Sequence, residues 1–254
     1  MLRCTRLGLA VHERMLCRDL SVEFEPGQAW AILGRNGTGK STLIHALAGL
    51  AAPAAGVVEL RGVPVLEYDA RVRACTLGVL LQMEGGTYWG TVEEYVLLGR
   101  FPHVQGWRGY GRADIDEARA ALEAVGMADF AARQFATLSG GERQRVRIAQ
   151  VLAQQPRLFL LDEPLQHLDL AHQAHVLNLI GARVRDRGET ALMVLHEPLW
   201  IGRCCTHALI LNGDGSADAG AAQDMLTRER LEHAYGCRLR EVGHGDGRSF
   251  VPDV

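Results

Sequence analysis

The sequence predicts an α/β domain: a mainly parallel sheet flanked by helices, preceded by a strand-rich segment and interrupted by a helical insert. Three observations predict it. After Gly140, short apolar runs of strand length alternate with longer segments of helical period. Near the N-terminus a glycine-rich loop joins one apolar run to a helical segment. Between residues 91 and 135 helical patterns dominate.

Up to about Phe24, apolar and polar residues alternate as in strands, and Pro26-Gly27 marks a turn. Ala29-Trp30-Ala31-Ile32-Leu33 has the length and composition of a buried strand. Residues 41–50 follow the glycine loop as a helix closed near Gly49. Residues 57–60 and 63–66 flank Arg61-Gly62 as a hairpin, and residues 77–81 form another apolar run. In the insert, residues 92–98 and 114–125 are helical, the second with Ile115, Ala118, Ala121, Leu122 and Val125 on one face. The glycine- and aromatic-rich stretch 101–111 between them reads as a loop. Helix, strand, helix and strand then follow at 142–153, 158–161, 171–184 and 191–195. Residues 1–83 and 138–254 therefore compose the core, and residues 84–137 the helical part.

The chain has 254 residues, enough for one large domain or a domain with an insert. No apolar run approaches the roughly 20 residues that span a bilayer. Residues 1–10 show neither an apolar core nor a small-residue cleavage site, which points to the cytoplasm. Any work at a membrane must come from docking to other chains. The net charge of -3, without a basic stripe, argues against a nucleic-acid partner. The 6 cysteines lack paired metal-ligand spacing, and Cys204-Cys205 read as two partly buried thiols in a reducing compartment.

Gly34-Arg35-Asn36-Gly37-Thr38-Gly39-Lys40-Ser41-Thr42 fits the phosphate-binding loop in both spacing and context. Glycines let successive backbone N–H groups face phosphate oxygens, and the following helix turns its positive end toward them. Lys40 can reach the β- and γ-phosphates, and the Ser41 hydroxyl can ligate Mg²⁺. A glycine-rich turn that merely contains a lysine need satisfy neither condition. The run 158–161 ends in Asp162-Glu163. Beside a phosphate loop, such a strand places Asp162 to hold Mg²⁺ and Glu163 to polarise an attacking water as general base. On its own, an apolar run before Asp-Glu is equally an ordinary strand end.

Leu138-Ser139-Gly140-Gly141-Glu142 opens a helix carrying Arg143, Arg145 and Arg147. Ser139 caps it, and the Gly140 and Gly141 amides make a second anion-binding helix start. This string closely resembles the signature motif of the ATP-binding-cassette (ABC) family. The resemblance implies a P-loop NTPase core of RecA-like type, an N-terminal antiparallel β subdomain and an inserted α-helical subdomain. It also implies ATP and Mg²⁺ as cofactors and a head-to-tail homodimer. Each ATP would lie between the phosphate loop of one subunit (Gly34, Asn36, Gly37, Thr38, Gly39, Lys40, Ser41 and Thr42) and Ser139, Gly140 and Gly141 of the other. Three further positions match the family in order. Gln82 falls where the family has a glutamine that contacts Mg²⁺ and relays motion to the membrane subunit. Asp169 falls where an aspartate bridges the subunits, and His196 where a histidine reaches the γ-phosphate.

Two features depart from the family. Its adenine-stacking aromatic would fall near Val11 or His12, neither a close match, which implies weaker adenine binding or stacking by the His12 imidazole, and His196 is followed by Glu197-Pro198 where Asp-Leu is usual. The proline is expected to stiffen that segment. The stretch from Val96 to His103, the stretch from Gln166 to Gln173, and the tail with Tyr235-Gly236, Asp246-Gly247-Arg248 and Phe250-Val251-Pro252 resemble ATPases that serve importers of ferric siderophores, haem or cobalamin. Separate permease chains, and indirectly a periplasmic or extracellular substrate-binding protein, are then the implied partners. The implied place is the cytoplasmic face of the membrane. Rival readings are an exporter subunit, a soluble ABC ATPase and a non-catalytic binding module. Intact Lys40, Asp162 and Glu163 speak against the last.

Overall fold

The computed structural model describes residues 2–82, 88–104, 109–196, 198–244 and 247–253. In chain order the elements are β1 (Leu2–Val11), β2 (Arg14–Phe24), β3 (Ala29–Leu33), α1 (Lys40–Leu47), β4 (Ala55–Leu60), β5 (Val63–Pro64), α2 (Ala70–Ala74), β6 (Leu77–Leu80), α3 (Val92–Leu97), α4 (Arg112–Ala124) and α5 (Gly140–Ala153). They continue with β7 (Leu158–Leu161), α6 (Leu170–Arg187), β8 (Thr190–Val194), α7 (Pro198–Cys204), β9 (His207–Leu211), β10 (Ala217–Ala221), α8 (Ala222–Met225), α9 (Arg228–Tyr235), β11 (Leu239–His244) and β12 (Gly247–Pro252).

The central sheet runs β10-β9-β3-β8-β7-β6, parallel throughout except for β10, which pairs antiparallel with β9. A second, antiparallel sheet runs β2-β1-β4-β5. Alternation along each central strand fixes what lies on either face. Ala29, Ala31 and Leu33 of β3, with Phe159 and Leu161 of β7, join a core shared with α3, α4, α5 and α6. Trp30 and Ile32, with Leu158 and Leu160, join a second core. There α1 contributes Leu43, Ile44 and Leu47, beneath the antiparallel sheet. Helix α1, which begins at the glycine loop, is thus held between two sheets.

Most expected elements form, with shifted ends. The hairpin around Arg61-Gly62 is shorter than expected, because its second strand stops at Pro64 and residues 65–67 turn into a 3-10 helix. Proline cannot donate to the ladder, which accounts for the early stop. The expected loop from residue 101 begins instead with a 3-10 helix over Leu98–His103. Gly99 lets it lie on α5, since a Cβ there would fall 2.2 Å from the Gln150 carbonyl oxygen. Residues 105–108 of the expected loop lie outside the described residues. Among the described residues no helix is long and apolar enough to cross a membrane.

The 3-10 helix is anchored by buried Arg100. It donates to Asp114 of α4 at 3.1 Å, to the Ala153 carbonyl at the end of α5 at 2.7 Å and to Gln155 at 3.3 Å. Arg100→Met, which leaves the half-buried Asp114 without its ion-pair partner and held by the Gly111 amide alone, is expected to cost about 3 kcal/mol. Thermal unfolding would read this as a drop of several degrees in Tm. The Gly111 amide, and beyond it Arg100, lower the Asp114 pKa. That contribution is therefore complete above the ordinary aspartate value of about 3.9 and is lost as the pH falls through the lower folded value.

Candidate active site

Four parallel strands deliver the site from their carboxyl ends, where ligands bind in open α/β sheets. The glycine loop leaves β3, Gln82 follows β6, Asp162 and Glu163 follow β7, and His196 follows β8. These segments border one cleft of about 1050 Å³. Lys40, Ser41, Thr42, Asn36, Gly37 and Gly39 line one wall, and Gln82, Glu163, Gln166 and His196 another.

The loop's first glycine is held tightly. Gly34 has φ 138, and a Cβ there would stand 2.5 Å from the Leu211 carbonyl oxygen, so neither its backbone nor its surroundings accept a side chain. Thr38 closes the turn by donating its hydroxyl to the Arg35 carbonyl at 2.9 Å. Gly39 caps α1, which leaves the first amides of that helix facing the cleft. Lys40 is buried and its Nζ donates to the Gly34 and Arg35 carbonyls at 2.8 and 3.0 Å. Burial lowers its pKa, while Glu163 and Asp162 pull the other way. A partly desolvated cation beside a nest of amides suits a polyphosphate.

Asp162 is buried, and neither of its carboxylate oxygens closes a hydrogen bond of ordinary length within the chain. Burial raises its pKa and Glu163 adds to the rise, against the nearby Ser41 hydroxyl, His45 and Lys40. Uncompensated buried carboxylate oxygens cost free energy unless a cation or donor meets them. Glu163 sits in left-handed backbone, φ 51, which is uncommon outside glycine and often marks functional sites. Its Oε1 is 2.8 Å from His196 Nε2, and its Oε2 accepts from Gln82 Nε2 at 3.5 Å. Gln82, Glu163 and His196 are therefore one contiguous group.

Ser139, Gly140 and Gly141 do not line this cleft. Ser139 caps α5 in a capping box with Glu142: its Oγ accepts from the Glu142 amide at 3.3 Å, and the Ser139 amide donates to the Glu142 carboxylate at 2.7 Å. Asp169 is likewise absent from the cleft. It caps α6 and accepts from the His172 amide at 2.9 Å. Pro198 stands at the first position of α7, where its fixed φ suits a helix start. Glu197 lies outside the described residues. Val11 and His12, at the tip between β1 and β2, both reach the cleft, together with Glu13, Arg14 and Leu16. Asp246 lies outside the described residues, whereas Tyr235-Gly236 ends α9.

Sequence reasoning missed two residues. Gln166 lines the cleft, and Gln144 is buried on α5 and donates to the Glu163 and Pro164 carbonyls at 3.2 and 3.0 Å. A glutamine among arginines in a polar helical stretch carries no sequence signal. Only its burial, out of keeping with its neighbours, marks it.

Comparison with known proteins identifies the family. Residues 17–166 match the family model described as ABC transporter. The chain is 38% identical to a hemin import ATP-binding protein, HmuV, of Burkholderia ambifaria, covering 97% of both chains. It is 36% identical to the protein of the same name from Gloeobacter violaceus, covering 96% of this chain and 90% of that one. Among solved structures, an inward-facing metal-chelate type ABC transporter superposes with a TM-score of 0.85 at 28% identity, covering 99% of this chain and 96% of that one. A dimeric ATP-binding cassette bound to ADP and Pi shares the fold, with a TM-score of 0.78 at 23% identity over 87% of this chain and 99% of that one. The chain belongs to the ABC transporter family, as one of its ATP-binding, ATP-hydrolysing subunits.

Proposed function

We infer that this chain powers import of haem, hydrolysing ATP in the cleft that gathers Lys40, Ser41, Gln82, Glu163 and His196. That convergence is the single observation carrying the chemistry. The cargo reading rests on relatives named for hemin import that match along almost the whole chain. Lys40 and the loop amides take the β- and γ-phosphates. Glu163 accepts a proton from the attacking water, and His196, hydrogen-bonded to its carboxylate, fixes its orientation.

Mg²⁺ fits the donors present, because hard oxygen ligands suit it and Asp162 has buried oxygens in need of a cation. Ser41, Asp162 and Gln82 would hold it. Bound there it offsets phosphate charge. Ser139, Gly140, Gly141 and Asp169, lying off the cleft, serve the nucleotide of a second copy in a head-to-tail dimer. The base rests near Val11 and His12, where the His12 imidazole is the ring available to it.

The dimer works at the cytoplasmic face beneath a permease. A groove of about 370 Å³ opens beside Gln82, walled by Tyr88, Tyr95 and Phe135, with Tyr95 and Phe135 stacked at 4.2 Å. Trp89 beside it is exposed. An aromatic-walled groove next to a catalytic loop suits a short permease helix. ATP then acts by binding the closed dimer better than the open one.

The test is uptake of labelled haem, cobalamin and ferric siderophore in the source cell, with the native gene against a Glu163→Gln replacement. Loss of haem uptake alone is the expected result. Loss of cobalamin or siderophore uptake with haem intact would reassign the cargo. No loss, with the chain recovered in the soluble fraction, would take it out of transport.

A further inference from the structure

The loop that carries the catalytic glutamate lies along the first turns of α5. A Cβ on Gly141 would be 2.8 Å from the His167 carbonyl oxygen, and one on Gly140 would be 3.5 Å from the His167 side chain. One turn further along α5, Gln144 meets the other end of the same loop. Its Nε2 donates to both the Glu163 and Pro164 carbonyls. Its Oε1 accepts from Arg147 Nη1 at 3.0 Å. Arg147 in turn donates through Nη2 to the carbonyl of Leu81, the residue before Gln82. The amide orientation is therefore fixed: its two donors and its acceptor all have partners that the reverse orientation would oppose.

We propose that Gln144 is a positioning residue for hydrolysis, holding the Glu163 backbone in its left-handed conformation and tying both Glu163 and the Gln82 segment to α5. Three physical facts converge on it. Glu163 has φ 51, a conformation a glutamate keeps only when its surroundings hold it there. The Glu163 carbonyl takes two donors, the Gln166 amide at 3.2 Å and Gln144, which fills both of its lone pairs. Gln144 is also buried, so water cannot replace it. Fixing that carbonyl fixes the direction in which the Glu163 side chain leaves the backbone, toward His196 and the cleft.

The same helix begins at Ser139-Gly140-Gly141. A displacement of α5 at its N-terminus therefore moves Gln144, and with it the catalytic glutamate of its own chain. The device links the anion-binding helix start to the chain's own hydrolytic site. It rests on the reading of Glu163 as the base.

The experiment compares native chain, Gln144→Met, Gln144→Glu and Glu163→Gln in steady-state ATP hydrolysis, with ATP binding and thermal unfolding measured beside them. Methionine keeps the volume and removes the donors. Glutamate keeps the shape, sets an acceptor against two carbonyls and retains a partner in Arg147, so it serves if the methionine variant does not fold. The expected result is a kcat at least about tenfold below native, the loss of a buried hydrogen-bond donor. The Kd for ATP should stay within about twofold of native, with the Hill coefficient for ATP moving toward 1. A kcat within about twofold of native, or a kcat loss matched by equal loss of ATP affinity, would overturn the proposal. Glu163→Gln separates the two readings. If it hydrolyses ATP within tenfold of native, the base assignment falls. If it is inert while Gln144→Met turns over normally, only the role of Gln144 falls.

Discussion

Glu163→Gln should bind ATP with near-native affinity and hydrolyse it about 10²–10⁴-fold more slowly, the range a positioned general base contributes. The substitution keeps size and shape and removes only the proton-accepting carboxylate. In the structure that carboxylate is already oriented on both sides: Oε1 is hydrogen-bonded to His196 at 2.8 Å, and Oε2 accepts from Gln82 at 3.5 Å. An amide can still pair with either neighbour, so the fold and the phosphate loop should be untouched. Binding without turnover should also let ATP-bound dimers accumulate, visible as an ATP-dependent shift in mass by size exclusion with light scattering. Turnover within tenfold of native would remove Glu163 from the role of base. His196 would then be the nearest candidate, since it borders the same cleft.

Lys40→Ala should strike both binding and turnover. Lys40 is the cation on the loop wall, buried and held by two loop carbonyls at 2.8 and 3.0 Å. Those carbonyls position its ammonium within the nest of amides, as a preorganised charge. Removing one preorganised group of this kind costs about 10²–10³ in turnover. Affinity for ATP should fall as well, because the ammonium meets phosphate in the ground state. The two variants are distinguishable in one titration. Glu163→Gln separates binding from hydrolysis, whereas Lys40→Ala loses both. Retained ATP affinity in Lys40→Ala would mean that the loop amides carry the phosphates alone.

Most residues of the candidate site were legible in the sequence because the patterns that mark them are local in the chain. Glycine spacing before Lys40 specifies a backbone nest whatever the rest of the fold does, and an apolar run before Asp162-Glu163 places two carboxylates at a strand end. Ser139, with Glu142 three residues later, specifies a capping box, which the structure contains. The alternation of strands and helices was legible for the same reason, through periodicity. What was hard to read lay where propensity is weak. The second hairpin strand ended early at Pro64, and the stretch after Leu98 coiled into a 3-10 helix because Gly99 and Arg100 pack against the end of α5.

Tertiary structure alone decided which of these local features share a space. Lys40, Gln82, Glu163 and His196 come from four separate strand ends, and only the order β9-β3-β8-β7-β6 brings them to one cleft. The same order leaves Ser139 and Asp169 off it, on the caps of α5 and α6. Gln144 shows the difference most clearly. Its sequence context is a polar, arginine-rich helix, yet the crossing of α5 under the β7 loop buries it against the Glu163 and Pro164 carbonyls, to both of which it donates. Hydrogen-bond satisfaction inside a protein is a property of the packed state. Which residues pack against the candidate site is therefore set by the fold, while the site's own motifs are written in the chain.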